Sequence, residues 1–270
     1  MRLSALASLA LATLASAQSK RGLAYPWCTS LFNENTNIDP GRFTNGGKVQ
    51  WMYNWETWRP ARTPAVNFIG TQAKLDSPSS PIWDLHNRWR QQGWTDVFHL
   101  NEPDLNNISP QQAVDHYLQH INPMTIRKGF PSVTSSSNGN MGLNWLQNFI
   151  NICGGRCYHD YLNLHWYGSN FGQFQNHIRE ANRRWPNERI VISEFSLEQP
   201  ANGNQQRDFF AQAIPWLDSQ PYVIMYFPFV ATSPDLLSRN DGAAVGHVGT
   251  GGTLFNNDGS PSAIGQLMLR

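Results

Sequence analysis

Eight short apolar runs, separated by longer amphipathic or Gly/Pro-punctuated stretches, constrain this chain more than any other feature. They begin near Leu23, Val49, Val66, Val97, Val133, Leu162, Ile190 and Val223. Runs this short read as strands, and strands alternating with helical segments pair in parallel, since each crossover helix returns the chain to the same end of the sheet. Apolar periodicity predicts helices over 81–92, 110–121, 143–152, 174–185 and 205–218. Eight such units close into an α/β fold, a single (β/α)8 TIM barrel. Pro60 and Pro64 fall between the second and third runs, so the helix there is short or missing. The competing fold is a flavodoxin-like open sheet, which has fewer strands and a phosphate-binding glycine-rich turn. The sequence holds no GxGxxG, GxxxxGK[ST] or GxSxG.

Residues 1–17 place Arg2 before an Ala/Leu-rich run that closes on Ala15-Ser16-Ala17, the pattern of a secretory signal peptide. Residues 18–270 then form the barrel domain, close to the usual barrel size of ~250 residues. No second stretch of ~18 apolar residues follows, and Leu267-Met268-Leu269-Arg270 lacks the tail of a lipid-anchor signal. The expectation is a secreted, soluble protein, extracellular or in a cell wall. A net charge of +1 with 14% charged residues carries no footprint for nucleic acid or an anionic membrane. Neither is expected as a partner, and the chain is expected to act as a monomer. Of three cysteines, Cys153 and Cys157 flank Gly154-Gly155-Arg156, where two glycines allow a tight local disulfide. Cys28 is left as a free thiol, most simply a buried small hydrophobe.

Barrel enzymes place their chemistry at the C-terminal ends of the strands. The fourth run, Asp96-Val97-Phe98-His99-Leu100-Asn101-Glu102-Pro103, and the seventh, Ile190-Val191-Ile192-Ser193-Glu194, both end in a glutamate. Strict alternation puts Phe98, Leu100 and Glu102 on one face and Ile190, Ile192 and Glu194 on another, so both carboxylates reach the same opening. Such a pair suits glycosidic cleavage, in which one carboxyl protonates the leaving oxygen and the other acts at the anomeric carbon. The chain also has 11 Trp, several beside polar residues as in Trp51-Met52-Tyr53-Asn54-Trp55-Glu56-Thr57-Trp58. Flat aromatic faces flanked by amides and carboxylates suit sugar rings. Core packing explains such tryptophans equally well.

Gly22-Leu23-Ala24-Tyr25, Trp51 to Trp55, Asn101-Glu102-Pro103-Asp104, Leu164-His165-Trp166-Tyr167 and Ile192-Ser193-Glu194-Phe195 together resemble glycoside hydrolase family 128, of the clan of retaining barrel glycosidases. That family contains endo-β-1,3-glucanases and related fungal cell-wall proteins. The resemblance implies β-glucan as substrate, no metal and no organic cofactor, with Glu102 as general acid/base and Glu194 as nucleophile. Burial and the neighbouring charge are then expected to raise the Glu102 pKa. It implies that Asn101 binds the sugar 2-hydroxyl, which requires a bulge or twist because alternation turns Asn101 outward. His165 and Tyr167 resemble clan residues on the floor of the site, the tyrosine holding the nucleophile. Tyr25, Asn54, Trp55 and Trp166 are the candidate sugar contacts. The eighth strand lacks the clan's tryptophan, and Tyr226, Phe227 or Phe229 stands in for it. Glu34, Glu56, Asp76 and Glu198 also fall in strand-end loops. His116 and His120 have helical metal-pair spacing without HExxH and read as a surface pair. Residues 246–252 read as a mobile loop, and Asn107-Ile108-Ser109 is an N-glycosylation sequon at Asn107. The rivals to a glucanase are a glucan-binding protein on the same barrel, and the same chemistry on another β-glucan or mannan.

Overall fold

The computed structural model describes residues 19–26, 36–78 and 80–270; the leader at 1–17, Cys28 and Glu34 lie outside these described residues. The strands are β1 (Arg21–Ala24), β2 (Val49–Tyr53), β3 (Asn67–Gln72), β4 (Asp96–Asn101), β5 (Arg127–Ser132), β6 (Leu162–Gly168), β7 (Ile190–Leu197) and β8 (Val223–Pro228). Every neighbouring pair is parallel, in the order β5-β4-β3-β2-β1-β8-β7-β6. Isolated parallel bridges, Gly129 to Tyr161 and Val133 to Leu164, join β5 to β6 and close the barrel. Around it stand α1 (Ile82–Gln91), α2 (Pro110–His116), α3 (Gly142–Cys153), α4 (Phe171–Arg184), α5 (Gly203–Ser219), α6 (Pro234–Asn240), α7 (Gly242–Val248) and α8 (Ala263–Met268). As expected, no helix joins β2 to β3.

Two segments depart from the expected elements. The fifth strand lies at Arg127–Ser132 rather than near Val133. Its sequence, RKGFPS, is not an apolar run; the Lys128 ammonium is buried against the carbonyls of Asn122 and Met124, and Gly129 leaves room for the Tyr161 ring. Likewise the glycine-rich segment beginning at Gly246 is helical to Val248, because the Asp241 side chain caps α7 on the amide of Ala244.

The core has two layers. Inside the barrel, Tyr53, Phe98, Tyr161 and Phe227, from β2, β4, the start of β6 and β8, meet edge to face at centroid distances of 5.1–6.1 Å. This aromatic plug fills the lumen, so the barrel is not a pore. The outer layer, with Leu23, Met52, Val97, Leu100, Leu164, Ile192 and Phe195, packs beneath the helices. The local disulfide joins Cys153, at the end of α3, to Cys157 across a Cα–Cα distance of 5.6 Å, with Gly154 in the left-handed conformation between them (φ 56°).

His116 is buried, contrary to the surface reading, because α2 turns it toward β4. Its Nδ1 lies 2.9 Å from Nε2 of the fully buried His99. The His120 ring packs 4.9 Å from His116, and His86 lies 5.9 Å from His120. Burial first, and then the neighbouring imidazoles, hold His99 well below the ordinary histidine range and His116 at about 4. Between pH 6.5 and about 4 the unfolded chain therefore binds protons that these folded rings refuse. Stability is expected to fall as pH is lowered through this window, by on the order of 1 kcal/mol per pH unit per histidine. Urea unfolding across the window measures the slope, and His116→Gln should flatten it.

Candidate active site

The C-terminal ends of the strands open into a cavity of about 1060 Å³ whose lining includes Trp55, Asn101, Glu102, Tyr167, Glu194 and Phe229. The backbone beneath it is irregular. Among the described residues the non-glycine positions with positive φ are Trp55 (61°), Leu100 (41°), Glu102 (46°) and Asn107 (56°). Three of these four are in the site or directly below it, and left-handed backbone at bulky residues is costly unless the surroundings impose it.

That irregularity corrects the facing read from strict alternation. Phe98 belongs to the interior plug while Leu100 packs outward under the helices. On β7 it is Val191 that faces the interior, and Ile190 and Ile192 face out. Register shifts between His99 and Asn101 on β4, and between Ile192 and Phe195 on β7, turn the strand ends over. Glu102, Glu194 and Asn101 reach the cavity because of these bulges, the device that Asn101 required.

The two carboxylates flank His165, which is fully buried on β6. His165 Nδ1 lies 2.9 Å from Glu102 Oε1, and Nε2 lies 3.3 Å from Glu194 Oε1 without the alignment of a hydrogen bond. Trp55 Nε1 donates to Glu194 Oε1 and the Tyr167 hydroxyl to Oε2, each at 2.6 Å. One oxygen of each glutamate and a ring nitrogen of His165 lie within 4.8 Å of one another.

Burial disfavours ionisation of Glu102, but the hydrogen bond and charge of His165 outweigh it and hold this carboxyl below its usual range. The expected upward shift is thereby reversed, because the nearest charged partner is a cation. Complete burial pushes Glu194 up; His165 pulls it back, and the Glu102 charge adds to the rise. Both Glu194 oxygens are nevertheless occupied by donors, which leaves an acid proton no good place to sit, so the geometry favours the carboxylate. Burial works against a charged His165, but the two glutamates outweigh it and raise its pKa. Both shifts run in the direction that favours an ion pair across the Glu102–His165 hydrogen bond.

Other candidates separate cleanly. Tyr25 is a core residue whose hydroxyl donates to the Ile38 carbonyl, and Trp166 faces outward, stacked on Phe209 and edge-on to Phe174. Neither lines the cavity, since residues 23, 25, 164 and 166 share the outer face of their strands. Asn54 lines the wall, but its amide donates to the Trp58 carbonyl and its oxygen accepts from the Glu56 amide, so it shapes the loop that carries Trp55. Glu56 and Glu198 line the cavity, whereas Asp76 caps the start of α1 at Ile82. Of the three aromatics near β8, Tyr226 turns outward to Asp218 and Phe227 joins the plug. Phe229 alone faces the cleft, against Trp55 and Tyr167 at 6.1 and 5.8 Å. Asn107 is exposed.

Sequence reasoning missed the far wall. Asp104 accepts from the Thr134 amide and hydroxyl and from the Gly142 amide, pinning the loop after β4 to the loop after β5. Gly142 has φ 56°, and a Cβ there would collide with the Ser136 carbonyl, so only glycine lets α3 begin at this point. His247, on α7, packs 4.9 Å from the Tyr167 ring and completes the opposite wall. The Asn-Glu-Pro-Asp motif was a signal for Asp104; α7 follows the last strand and had none.

A parallel eightfold barrel with two carboxylates flanking a histidine at its C-terminal mouth, within an aromatic cleft, defines a glycoside hydrolase. The profile of the glycosyl hydrolase catalytic core matches residues 22–268. The solved family 128 (subgroup IV) endo-β-1,3-glucanase of Lentinula edodes is 48% identical with a TM-score of 0.87, covering 93% of this chain and 100% of that one. The family 128 (subgroup III) curdlan-specific exo-β-1,3-glucanase of Blastomyces gilchristii, solved with glucose, is 26% identical with a TM-score of 0.70, covering 93% and 98%. Alkali-sensitive linkage protein 1 of Schizosaccharomyces pombe is 28% identical over 265 residues, 94% of this chain. This chain spans 45% of the length of that relative. The chain belongs to glycoside hydrolase family 128.

Proposed function

We propose that this protein is a secreted, retaining endo-β-1,3-glucanase that acts in fungal cell-wall glucan degradation or remodelling. The observation that carries the mechanism is the spacing of the carboxylates: the nearest oxygens of Glu102 and Glu194 lie within 4.8 Å. Retaining glycosidases hold the pair ~5–5.5 Å apart, whereas inverting ones leave ~6.5–9.5 Å for a water. The linkage rests on the 48% identical endo-β-1,3-glucanase.

Glu194, ionised and aimed by Trp55 and Tyr167, attacks the anomeric carbon. The bond to the leaving oxygen breaks as Glu102 takes the proton held by His165 across their hydrogen bond and gives it to that oxygen. A covalent glycosyl–enzyme ester results, and the charge on Glu194 disappears. Glu102, now a carboxylate, takes a proton from an incoming water, whose oxygen attacks the same carbon and releases Glu194. Asn101, beside Glu102 in the cleft, supplies the contact to the 2-hydroxyl. Phe229, with Trp55, forms the apolar wall for the sugar face.

Digestion of β-1,3-, β-1,4- and β-1,6-linked glucans and of mannan, with products sized and their anomeric configuration followed by NMR, tests linkage, endo action and retention together. Internal cleavage of the β-1,3 polymer with a β product is expected. An initial α product sinks retention, and binding without sugar release sinks the enzyme reading. Removing the charged-group hydrogen bond with Tyr167→Phe is expected to lower kcat/KM by about 10- to 100-fold. A fall confined to KM would show that the hydroxyl serves substrate binding alone.

A further inference from the structure

Four of the eight histidines of the chain, His86, His99, His116 and His120, form one group, and none of them lines the cleft. His86 comes from α1, His99 from β4, and His116 and His120 from α2 and the helical turn Tyr117–Ile121 that continues it. The i, i+4 spacing of the last two puts their rings on one helical face, with centroids 4.9 Å apart. His86 joins α1 to this face, 5.9 Å from His120. Asp76, whose Oδ1 caps α1 at Ile82, lies close enough for its charge to act on both His116 and His120.

Glycosidic cleavage uses none of these groups, and packing alone does not account for them. His116 is 8% exposed, and its Nε2 has no hydrogen-bond partner among the described residues. A buried ring nitrogen left unpaired is destabilising unless something binds it. Its Nδ1, by contrast, lies 2.9 Å from Nε2 of the fully buried His99. An imidazole that donates Nδ1–H to a fixed acceptor presents a bare Nε2, the arrangement that orients metal-bound histidines. Two imidazoles on one ion, each at ~2.0–2.1 Å, set their ring centroids roughly 5 Å apart. The His116–His120 pair meets this spacing, and the exposed His86 ring reaches it by rotation of its own side chain. The exposed Asp76 carboxylate has a second oxygen to offer as fourth donor. Three imidazoles and one carboxylate suit a closed tetrahedral site.

We propose that His86, His116, His120 and Asp76 form a binding site for a divalent transition-metal ion of the zinc class, held between α1 and α2. The ion is structural. It ties α1 and the loop before it to α2, outside the barrel, and takes no part in the glycosidic step. The site stands apart from the glucanase reading and does not depend on it.

The probe is Zn²⁺ itself, titrated by calorimetry into protein that has been treated with chelator and dialysed, with no substrate present. Glu102, His165 and Glu194 offer a rival set of ligand atoms within 4.8 Å of one another, so Glu194→Gln is measured beside His86→Ala and His120→Ala. One ion per chain is expected to bind the wild type and to raise its Tm. Each histidine substitution should weaken Zn²⁺ by at least about 10- to 100-fold, the cost of losing even an outer-shell partner, and the rise in Tm should shrink in step. Glu194→Gln should bind as the wild type does. Equal unfolding midpoints in chelator show that the histidine variants lose a ligand rather than the fold, and His86→Ala, at an exposed position, gives the reading should His120→Ala be destabilised. A wild type without saturable Zn²⁺ binding overturns the site, as does equal affinity in the wild type and both histidine variants. Loss of the ion in Glu194→Gln alone would assign it to the catalytic trio instead.

Discussion

Glu194→Gln is expected to lower the rate of β-1,3-glucan cleavage by at least about 10⁴-fold, as for other enzymes that lose a nucleophile. An amide cannot attack the anomeric carbon, yet it fills the same space between Trp55 and Tyr167, which now donate to the two carboxylate oxygens. The loss should therefore fall on turnover, with oligosaccharide binding retained in calorimetry. Glu194→Ala leaves a vacancy at the buried end of the trio, and a small anion such as azide should enter it and attack from the same side. The product from an activated substrate would then be a glycosyl azide of inverted configuration. Activity of Glu194→Gln within tenfold of the wild type would remove this residue from the role.

Replacing Glu102 by Gln should cost about 10²–10⁴ in rate on natural glucan, the usual worth of a general acid. The loss in the first step should shrink on a substrate with an acidic phenol as leaving group, which departs without a proton. The contrast between the two substrates is the measurement, and equal losses on both would assign Glu102 a different role. Under the proposed mechanism that proton comes from His165, whose pKa the two glutamates raise against the effect of burial. Activity should therefore hold at acidic pH and decline as pH rises through the titration of that pair. His165→Gln should move that decline. A structural role for the ring would leave it in place.

The order of eight strands, the absent helix between β2 and β3, and the two glutamates at the ends of β4 and β7 were all legible in the sequence. Each depends on neighbours in the chain: apolar run lengths, prolines, and the position of a charge at the end of a run. The Cys153–Cys157 bridge was legible for the same reason, since its loop closes within one turn of chain. Where a segment's reason for being a strand lay elsewhere, the reading failed. RKGFPS of β5 has no apolar pattern and exists because β4 pairs with it and Tyr161 covers Gly129. Tyr25 and Trp166 looked like sugar contacts because their neighbours matched a family motif, but a single-residue change of face places both in the outer core.

Sequence by itself determined the barrel, its strand order and the identity of the two carboxylates, because periodicity and chain order are local properties. Only the tertiary structure decided how those carboxylates are placed. Bulges at the ends of β4 and β7 bring Glu102, Asn101 and Glu194 into one cleft, and a buried histidine from β6 stands between the acids. Trp55 from the β2 loop and Tyr167 from β6 hold Glu194 from both sides. Pairings among residues as far apart as 139 positions depend on closure of the barrel, and no periodicity along the chain encodes a distance across it.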